Sequence, residues 1–273
     1  MSSRFAGIGC VHFFGGGVLK ENGLRKTLEA GKTAFGTFCI LPSATVVEAL
    51  GLSGLDFVIL DMEHGPLTYQ TCEELIRGAE CGGAAPIIRV SDNRPELILR
   101  ALDIGAAGVQ VPQVGSKVEA ERVVEAAKYA PLGQRGVSIF TRAGGYVGSP
   151  DHTERCNAQQ MTVVHIEGME AVQNIGEILE TDGIDVIFLG PYDLSQSLGV
   201  TGQVDDPRVR GALESCAQKA RDAGRFVGSY AKDANMAGWL HSIGVQYIAA
   251  YVDATAVSLF YRRLLDDLRG AVE

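Results

Sequence analysis

Asp61 and His64 stand three residues apart in Leu60-Asp-Met-Glu-His-Gly65, a spacing at which a carboxylate can orient an imidazole and raise its basicity for proton transfer. The competing reading is that His64 only caps a helix or binds a loop. Glu167 and Asp193 are a second pair of interest, because two carboxylates brought together without a cation repel each other. A hard divalent ion such as Mg2+ or Mn2+ turns that repulsion into binding; a helix cap for Asp193 and an ion pair for Glu167 are the alternatives. Arg89 lies in the apolar run Ile88-Arg-Val90, where a guanidinium needs an anionic partner. That partner is either a substrate or an internal carboxylate, Asp61 or Glu63. Gly190-Pro-Tyr-Asp193 leads from an apolar run into a helical start, and first-turn amides such as these are open to an anion. A metal, an anion pocket and a base are the parts that enolising a 2-oxo acid requires.

The elements between these residues must bring them to one place. Eight short apolar runs, at 35–40, 57–60, 86–90, 108–111, 162–166, 186–189, 225–229 and 246–251, alternate with helical stretches that include 71–79, 95–102, 117–128, 169–179, 208–223 and 256–269. Near-continuous apolar strands are what a parallel sheet buried on both faces requires. Eight such units predict an α/β protein with a closed (β/α)8 TIM barrel as one domain over 22–273, since open doubly wound sheets usually stop at about six strands.

In such a barrel, active-site groups come from the C-terminal ends of the strands. Asp61, Glu63 and His64 after the second strand, Arg89 on the third, Gln110 and Gln113 around the fourth, His165 and Glu167 on the fifth and Asp193 after the sixth should therefore share one mouth. His165 precedes Glu167 by two residues, so strand alternation sends both side chains into the barrel interior. There the imidazole hydrogen-bonds, ligates an ion or simply packs. Asn22 can cap a helix carrying Leu24 and Leu28, with Gly31 ending it. Residues 1–21 show no period and read as an irregular N-terminal extension. The stretch 130–160, rich in Pro, Gly and Ser, is long enough to expect that part of it borders the active site.

Composition narrows the function. A formal charge of −9 over 273 residues argues against nucleic acid, whose binding needs a basic face that releases counterions. Apolar residues make up 46 % and charged ones 21 %, ordinary for a soluble α/β chain. No uncharged apolar run reaches the roughly 18 residues of a membrane span, and the patch at Val11 to Phe14 is too short for a signal peptide. Six cysteines without a C-x-x-C pair fit neither a zinc knuckle nor a redox motif. Reduced thiols point to the cytoplasm.

Five segments, Leu60-Asp-Met-Glu-His-Gly65, Ile88-Arg-Val90, Pro131-Leu-Gly-Gln-Arg-Gly136, Ile166-Glu167 and Gly190-Pro-Tyr-Asp-Leu-Ser195, resemble in order and spacing the HpcH/HpaI aldolases, from about Asn22 onward. These are class II pyruvate aldolases. The resemblance implies a (β/α)8 barrel with Glu167 and Asp193 ligating Mg2+, Mn2+ or Co2+, and with the 2-oxo acid, pyruvate or oxaloacetate, completing the site. It implies that His64, supported by Asp61, shuttles the proton through water at the metal. Arg89 would hold the keto oxygen and stabilise the enolate, and the amides of Gly190 and Tyr192 would receive the carboxylate. An aldehyde would be the second substrate, and the chain would assemble as a homo-hexamer. Related enzymes reach the same enolate by decarboxylating oxaloacetate or act on CoA thioesters. The chain departs from the family in having His165 where Gln is usual, and Gly168 where Thr or Ser is common after the glutamate.

Overall fold

Strands β1 (Ala34–Cys39), β2 (Phe57–Asp61), β3 (Ala85–Arg89), β4 (Gly108–Val111), β5 (Met161–Ile166), β6 (Val186–Leu189), β7 (Phe226–Ala231) and β8 (Tyr247–Val252) pair in parallel in chain order, and β8 closes on β1. This is the (β/α)8 barrel expected from the apolar runs, with strand ends shifted by no more than two residues. The computed structural model describes residues 21–272, so the reading of residues 1–20 lies outside it. Among the described residues no helix is long and apolar enough to cross a membrane.

Two apolar layers result from strand alternation. Outward-facing side chains such as Val58, Leu60, Ile88, Val109, Val164 and Ile187 pack under the helices. Inward-facing ones, among them Phe38, Phe57, Ile59, Val163, Phe188 and Tyr247, fill the barrel. Two glycines make room for the large rings. A Cβ on Gly36 would meet the Phe57 ring at 2.4 Å, and one on Gly228 would meet Tyr247 at 2.8 Å and Phe188 at 2.9 Å. Phe57 and Tyr247 consequently stack with centroids 4.0 Å apart.

The helix Gly23–Glu29 joins the barrel core through Leu24 and Leu28. Seven residues are too few for a helix to stand alone in water, so burial of the two leucines, worth about 1.5–3 kcal/mol each, must hold it. Asn22 caps it as expected, accepting from the amides of Leu24 and Arg25. Its amide nitrogen reaches back to the carbonyls of Ala107 and Gln159 at 3.0 and 2.9 Å, and Arg25 pairs with Asp185 at 2.8 Å.

Helices Ala44–Leu52 and Ala234–Ser242 are short and weakly amphipathic and left no helical period in the sequence, whereas Pro191–Ser197 is the helical start expected after Gly190. The 130–160 stretch contains a further helix, His152–Gln159, and a single turn at Arg142–Gly144. It runs along the outside of the barrel. Arg142 binds Glu80 at 2.6 Å, Tyr146 reaches Glu73 and Arg135 pairs with Asp103 at 2.5 Å. No residue of 130–160 lines the cavity at the strand C-termini, contrary to expectation; its cations find acids on helices Tyr69–Gly82 and Pro95–Asp103 instead.

Candidate active site

Parallel pairing puts Asp61 opposite Arg89 and Arg89 opposite Gln110, a row of three polar side chains where an apolar barrel layer would otherwise be. Arg89 Nε donates to Asp61 Oδ1 at 2.9 Å and Nη2 to Oδ2 at 2.6 Å, a two-pronged fit of fork to carboxylate. Its Nη1 lies 3.0 Å from Glu63 Oε2. The guanidinium also stands 4.8 Å over the Phe38 ring. Two of its five N–H donors are hydrogen-bonded, both to Asp61, and Glu63 is held as an ion pair; donors on Nη1 and Nη2 remain for a substrate.

Asp61 does not support the His64 ring as the sequence led us to expect. Both its oxygens serve Arg89, and Oδ1 additionally accepts the backbone amides of Glu63 and His64 at 3.0 and 3.2 Å. It therefore fixes the loop that carries His64. The carboxylate beside the imidazole is Glu63, with 3.9 Å between Glu63 Oε2 and His64 Nε2. That distance is an ion-pair separation and too long for a hydrogen bond. The His64 side chain is 67 % exposed, a rim position open to substrate. Burial raises the Glu63 carboxyl above the usual range; Arg89 opposes this and Glu167 adds to it.

Glu167, just past β5, is buried, and each of its oxygens accepts one hydrogen bond and keeps a second lone pair. Oε1 accepts the Gln113 amide at 2.7 Å and Oε2 accepts from His165 Nδ1 at 2.8 Å. Burial raises its pKa, but His165, the Gln113 amide and Arg89 outweigh burial and bring it down to about 2. Gln113 holds a left-handed φ of 55°, unusual for a side-chain-bearing residue; the turn aims its N–H at Glu167. Gly190 is pressed against the same carboxylate, since a Cβ there would meet Glu167 Cβ at 2.7 Å and Oε2 at 2.9 Å.

Asp193 stands in the first turn of helix Pro191–Ser197 and lines the same cavity as Glu167, about 380 Å³ in volume. Asp61, His64, Arg89, His165, Gly190 and Tyr192 line it too; Glu63, Gln110 and Gln113, expected at the same mouth, do not line it. The Gly190 amide is not free for a substrate, because it donates to Ile166 O at 3.0 Å. Gly190 contributes by lacking a side chain. The first-turn amides of Tyr192 and Asp193 have no helical carbonyl behind them.

Neither ring nitrogen of His165 is open to an ion. Nδ1 binds Glu167, Nε2 lies 2.6 Å from Gln110 Nε2, and the ring stacks on Phe188 at 4.6 Å. The hydrogen-bonding role is the one this geometry supports. Among the described residues no cluster of three or more His, Cys, Asp or Glu forms a complete ligand set. Two carboxylates with substrate oxygens are nonetheless the donor set that a hard cation such as Mg2+ accepts, and they fit it.

A family model described as HpcH/HpaI aldolase/citrate lyase matches residues 34–258. The chain belongs to this family. A 4-hydroxy-2-oxo-heptane-1,7-dioate aldolase of Shigella flexneri is 33 % identical over 239 residues, covering 87 % of this chain and 90 % of the relative. An HpcH/HpaI aldolase/citrate lyase family protein of Burkholderia cenocepacia J2315 superposes with a TM-score of 0.87 at 29 % identity, over 91 % of this chain and 99 % of that one. Citrate synthase SbnG superposes with a TM-score of 0.82 at 29 % identity, over 92 % and 98 %.

Within this HpcH/HpaI barrel, Glu63 is the Arg89 partner that the sequence offered beside Asp61, but its place next to the His64 imidazole and the service of the Gln113 amide to Glu167 are visible only in the folded loops. Tyr247 gave no signal at all, because a tyrosine in an apolar run reads as core. A second cleft, about 500 Å³, lies at the amino-terminal end of the HpcH/HpaI barrel beside Leu24, Asp56 and Ala85, away from this chemistry.

Proposed function

We propose that this chain is a divalent-metal-dependent lyase that forms or cleaves a 4-hydroxy-2-oxo acid, with pyruvate and an aldehyde as the other side of the reaction. The observation that carries this reading is the meeting, in one cavity, of an ionised buried carboxylate, Glu167, and a guanidinium with donors to spare, Arg89. Glu167 and Asp193 would hold Mg2+, Mn2+ or Co2+, which when bound supplies Lewis acidity toward the 2-oxo group.

The chain's own residues account for the remainder. The remaining N–H groups of Arg89 hold the keto oxygen and stabilise the negative charge that develops there, and Asp61 keeps the fork from rotating. The amides of Tyr192 and Asp193 receive the substrate carboxylate. His64 takes a proton from the methyl carbon of pyruvate; the new carbon–carbon bond forms to the aldehyde carbon, and the aldehyde oxygen ends as the protonated 4-hydroxyl. Phe38, Phe188 and Tyr230 form an apolar wall that limits water around the enolate.

Likeness to citrate synthase SbnG favours one second reading, in which the same site forms its enolate from another oxo acid such as oxaloacetate, or meets an acyl thioester. Incubating pyruvate and Mn2+ or Mg2+ with a panel of aldehydes, and reading products by mass, tests the first reading. Hydroxy-oxo acid products support it. Pyruvate release from oxaloacetate with no aldol product from any aldehyde would replace it with the second.

Self-association belongs to the same reading. Helix Asp253–Gly270 is exposed along nearly its whole length, including Val257, Phe260, Tyr261, Leu264, Leu265 and Leu268. Phe35, an outward-facing barrel residue, is 47 % exposed. Apolar surface of this extent marks an interface, and further copies of this chain, to a hexamer, are its proposed cover. The free cysteines among the described residues favour a cytoplasmic setting.

A further inference from the structure

A line of hydrogen bonds crosses the barrel interior beneath the mouth. Tyr247 Oη is 3.1 Å from Gln110 Oε1, Gln110 Nε2 is 2.6 Å from His165 Nε2, and His165 Nδ1 is 2.8 Å from Glu167 Oε2. All three residues before Glu167 are buried. Each link has one direction that satisfies every group. A phenol hydroxyl can donate to the amide oxygen. The amide nitrogen has only hydrogens to offer, so His165 Nε2 must present its lone pair. The ring proton then sits on Nδ1, where it meets a carboxylate that can only accept.

The reverse direction fails twice for a neutral ring and once for an imidazolium. With the Gln110 amide turned over, its oxygen would require a proton on His165 Nε2, leaving the Nδ1 lone pair of a neutral ring facing the Glu167 carboxylate; only an imidazolium would serve both neighbours. The buried Tyr247 hydroxyl would face an NH2 group, and its own proton would lose the acceptor it has. Buried donors and acceptors left without partners are costly.

We infer that Tyr247 and Gln110 are positioning residues that act through His165: they fix its ring proton on Nδ1 and thereby hold Glu167 Oε2 in place for a divalent cation. The inference rests on the reading of Glu167 as a metal ligand. It also accounts for a histidine at this position. A neutral imidazole with its back nitrogen engaged can hand its one proton forward only if the group behind it is a donor, a condition that Gln110 meets only while Tyr247 holds its oxygen. A glutamine at position 165 would have two hydrogens on one nitrogen and could serve Glu167 with Gln110 in either orientation.

The experiment combines ring nitrogens and metal titration. Solid-state nitrogen NMR on protein labelled at histidine, with His165 assigned by its loss in His165→Gln, should show a protonated Nδ1 and a bare Nε2. Mn2+ affinity, measured by electron paramagnetic resonance, should fall about 10-fold in Tyr247→Phe and more in Gln110→Leu, the low end of what support of a ligating group usually contributes. In the His165→Gln background, Tyr247→Phe should change Mn2+ affinity less than about 2-fold, the pattern of a coupling that runs through His165.

A proton found on Nε2 instead, or an equal loss of Mn2+ affinity from Tyr247→Phe in both backgrounds, overturns the inference. Should Tyr247→Phe not fold, the nitrogen spectrum of the unaltered protein decides. If Mn2+ fails to bind the unaltered protein while Nδ1 carries the proton, the metal-ligand reading of Glu167 falls and the direction of the hydrogen-bond line stands.

Discussion

Arg89 and Asp61 lie in register on neighbouring strands and meet through two near-parallel hydrogen bonds of 2.9 and 2.6 Å. Both side chains are at most 10 % exposed. A buried ion pair adds little net stability, but removing one partner strands the other. Asp61→Ala should therefore lose about 3–5 kcal/mol in urea denaturation, with Asp61→Asn losing less because an acceptor remains. An Asp61→Ala protein as stable as the parent would show that Glu63 alone satisfies the guanidinium.

Metal dependence is the second expectation. Activity should vanish after exhaustive chelation and return with Mn2+ or Mg2+, and Glu167→Ala should not recover with added metal. Gly190→Ala offers a gentler probe, since its Cβ would sit 2.7 Å from Glu167 Cβ and push the carboxylate aside. We expect the fold to persist and Mn2+ affinity to fall by about 10-fold or more, as when support of a ligating group is disturbed. Unchanged titrations for both variants would remove Glu167 from the metal.

His64 has no structural duty visible in the barrel, so His64→Ala should leave stability and Mn2+ binding intact. Exchange of pyruvate methyl protons with solvent, followed by NMR in D2O, should slow by roughly 10² to 10⁴-fold. An exchange rate equal to the parent's would assign the proton transfer elsewhere, with Glu63 the next residue to test.

The thiols should separate by burial. Burial lifts Cys72 to about 12, and Cys156 and Cys216 to about 11 each, and Cys39 higher still, with Asp253 and Asp61 adding to it. Cys81 is exposed. Because the thiolate is the reactive form, a thiol near 11 is roughly one part in a thousand thiolate at pH 8. In a Cys10→Ser background, a disulfide reagent at pH 8 should label one residue rapidly, Cys81, and the others only on denaturation. Fast labelling of Cys156 in native protein would mean that the 130–160 stretch opens.

Phe260→Asp with Leu264→Asp places two charges on the exposed face of the last helix. The particle mass in sedimentation velocity should drop toward that of one chain while circular dichroism keeps its barrel signature. A mass unaffected by both substitutions would place the interface on another face.

The barrel was legible because its signal is local. Eight apolar runs separated by helical stretches repeat a pattern that each segment carries by itself, and the rule that chemistry gathers at strand C-termini then brought Asp61, His64, Arg89, His165, Glu167, Gly190, Tyr192 and Asp193 to one cavity. Which atom meets which was decided only by the tertiary structure. Asp61 could reach His64 three residues away, but the register of β2 with β3 gave it to Arg89, because a fork of N–H donors satisfies both carboxylate oxygens at once. Glu63 took the place beside the imidazole. The Gly190 amide went to the carbonyl of Ile166 at the end of β5, and the loop at 130–160 found its carboxylates on outer helices instead of at the mouth. Tyr247 lies 137 residues from Gln110 in the chain, and no local pattern encodes a contact between them. It exists because closing the sheet carries β8 round to face β4 across the interior, where a buried hydroxyl must find an acceptor.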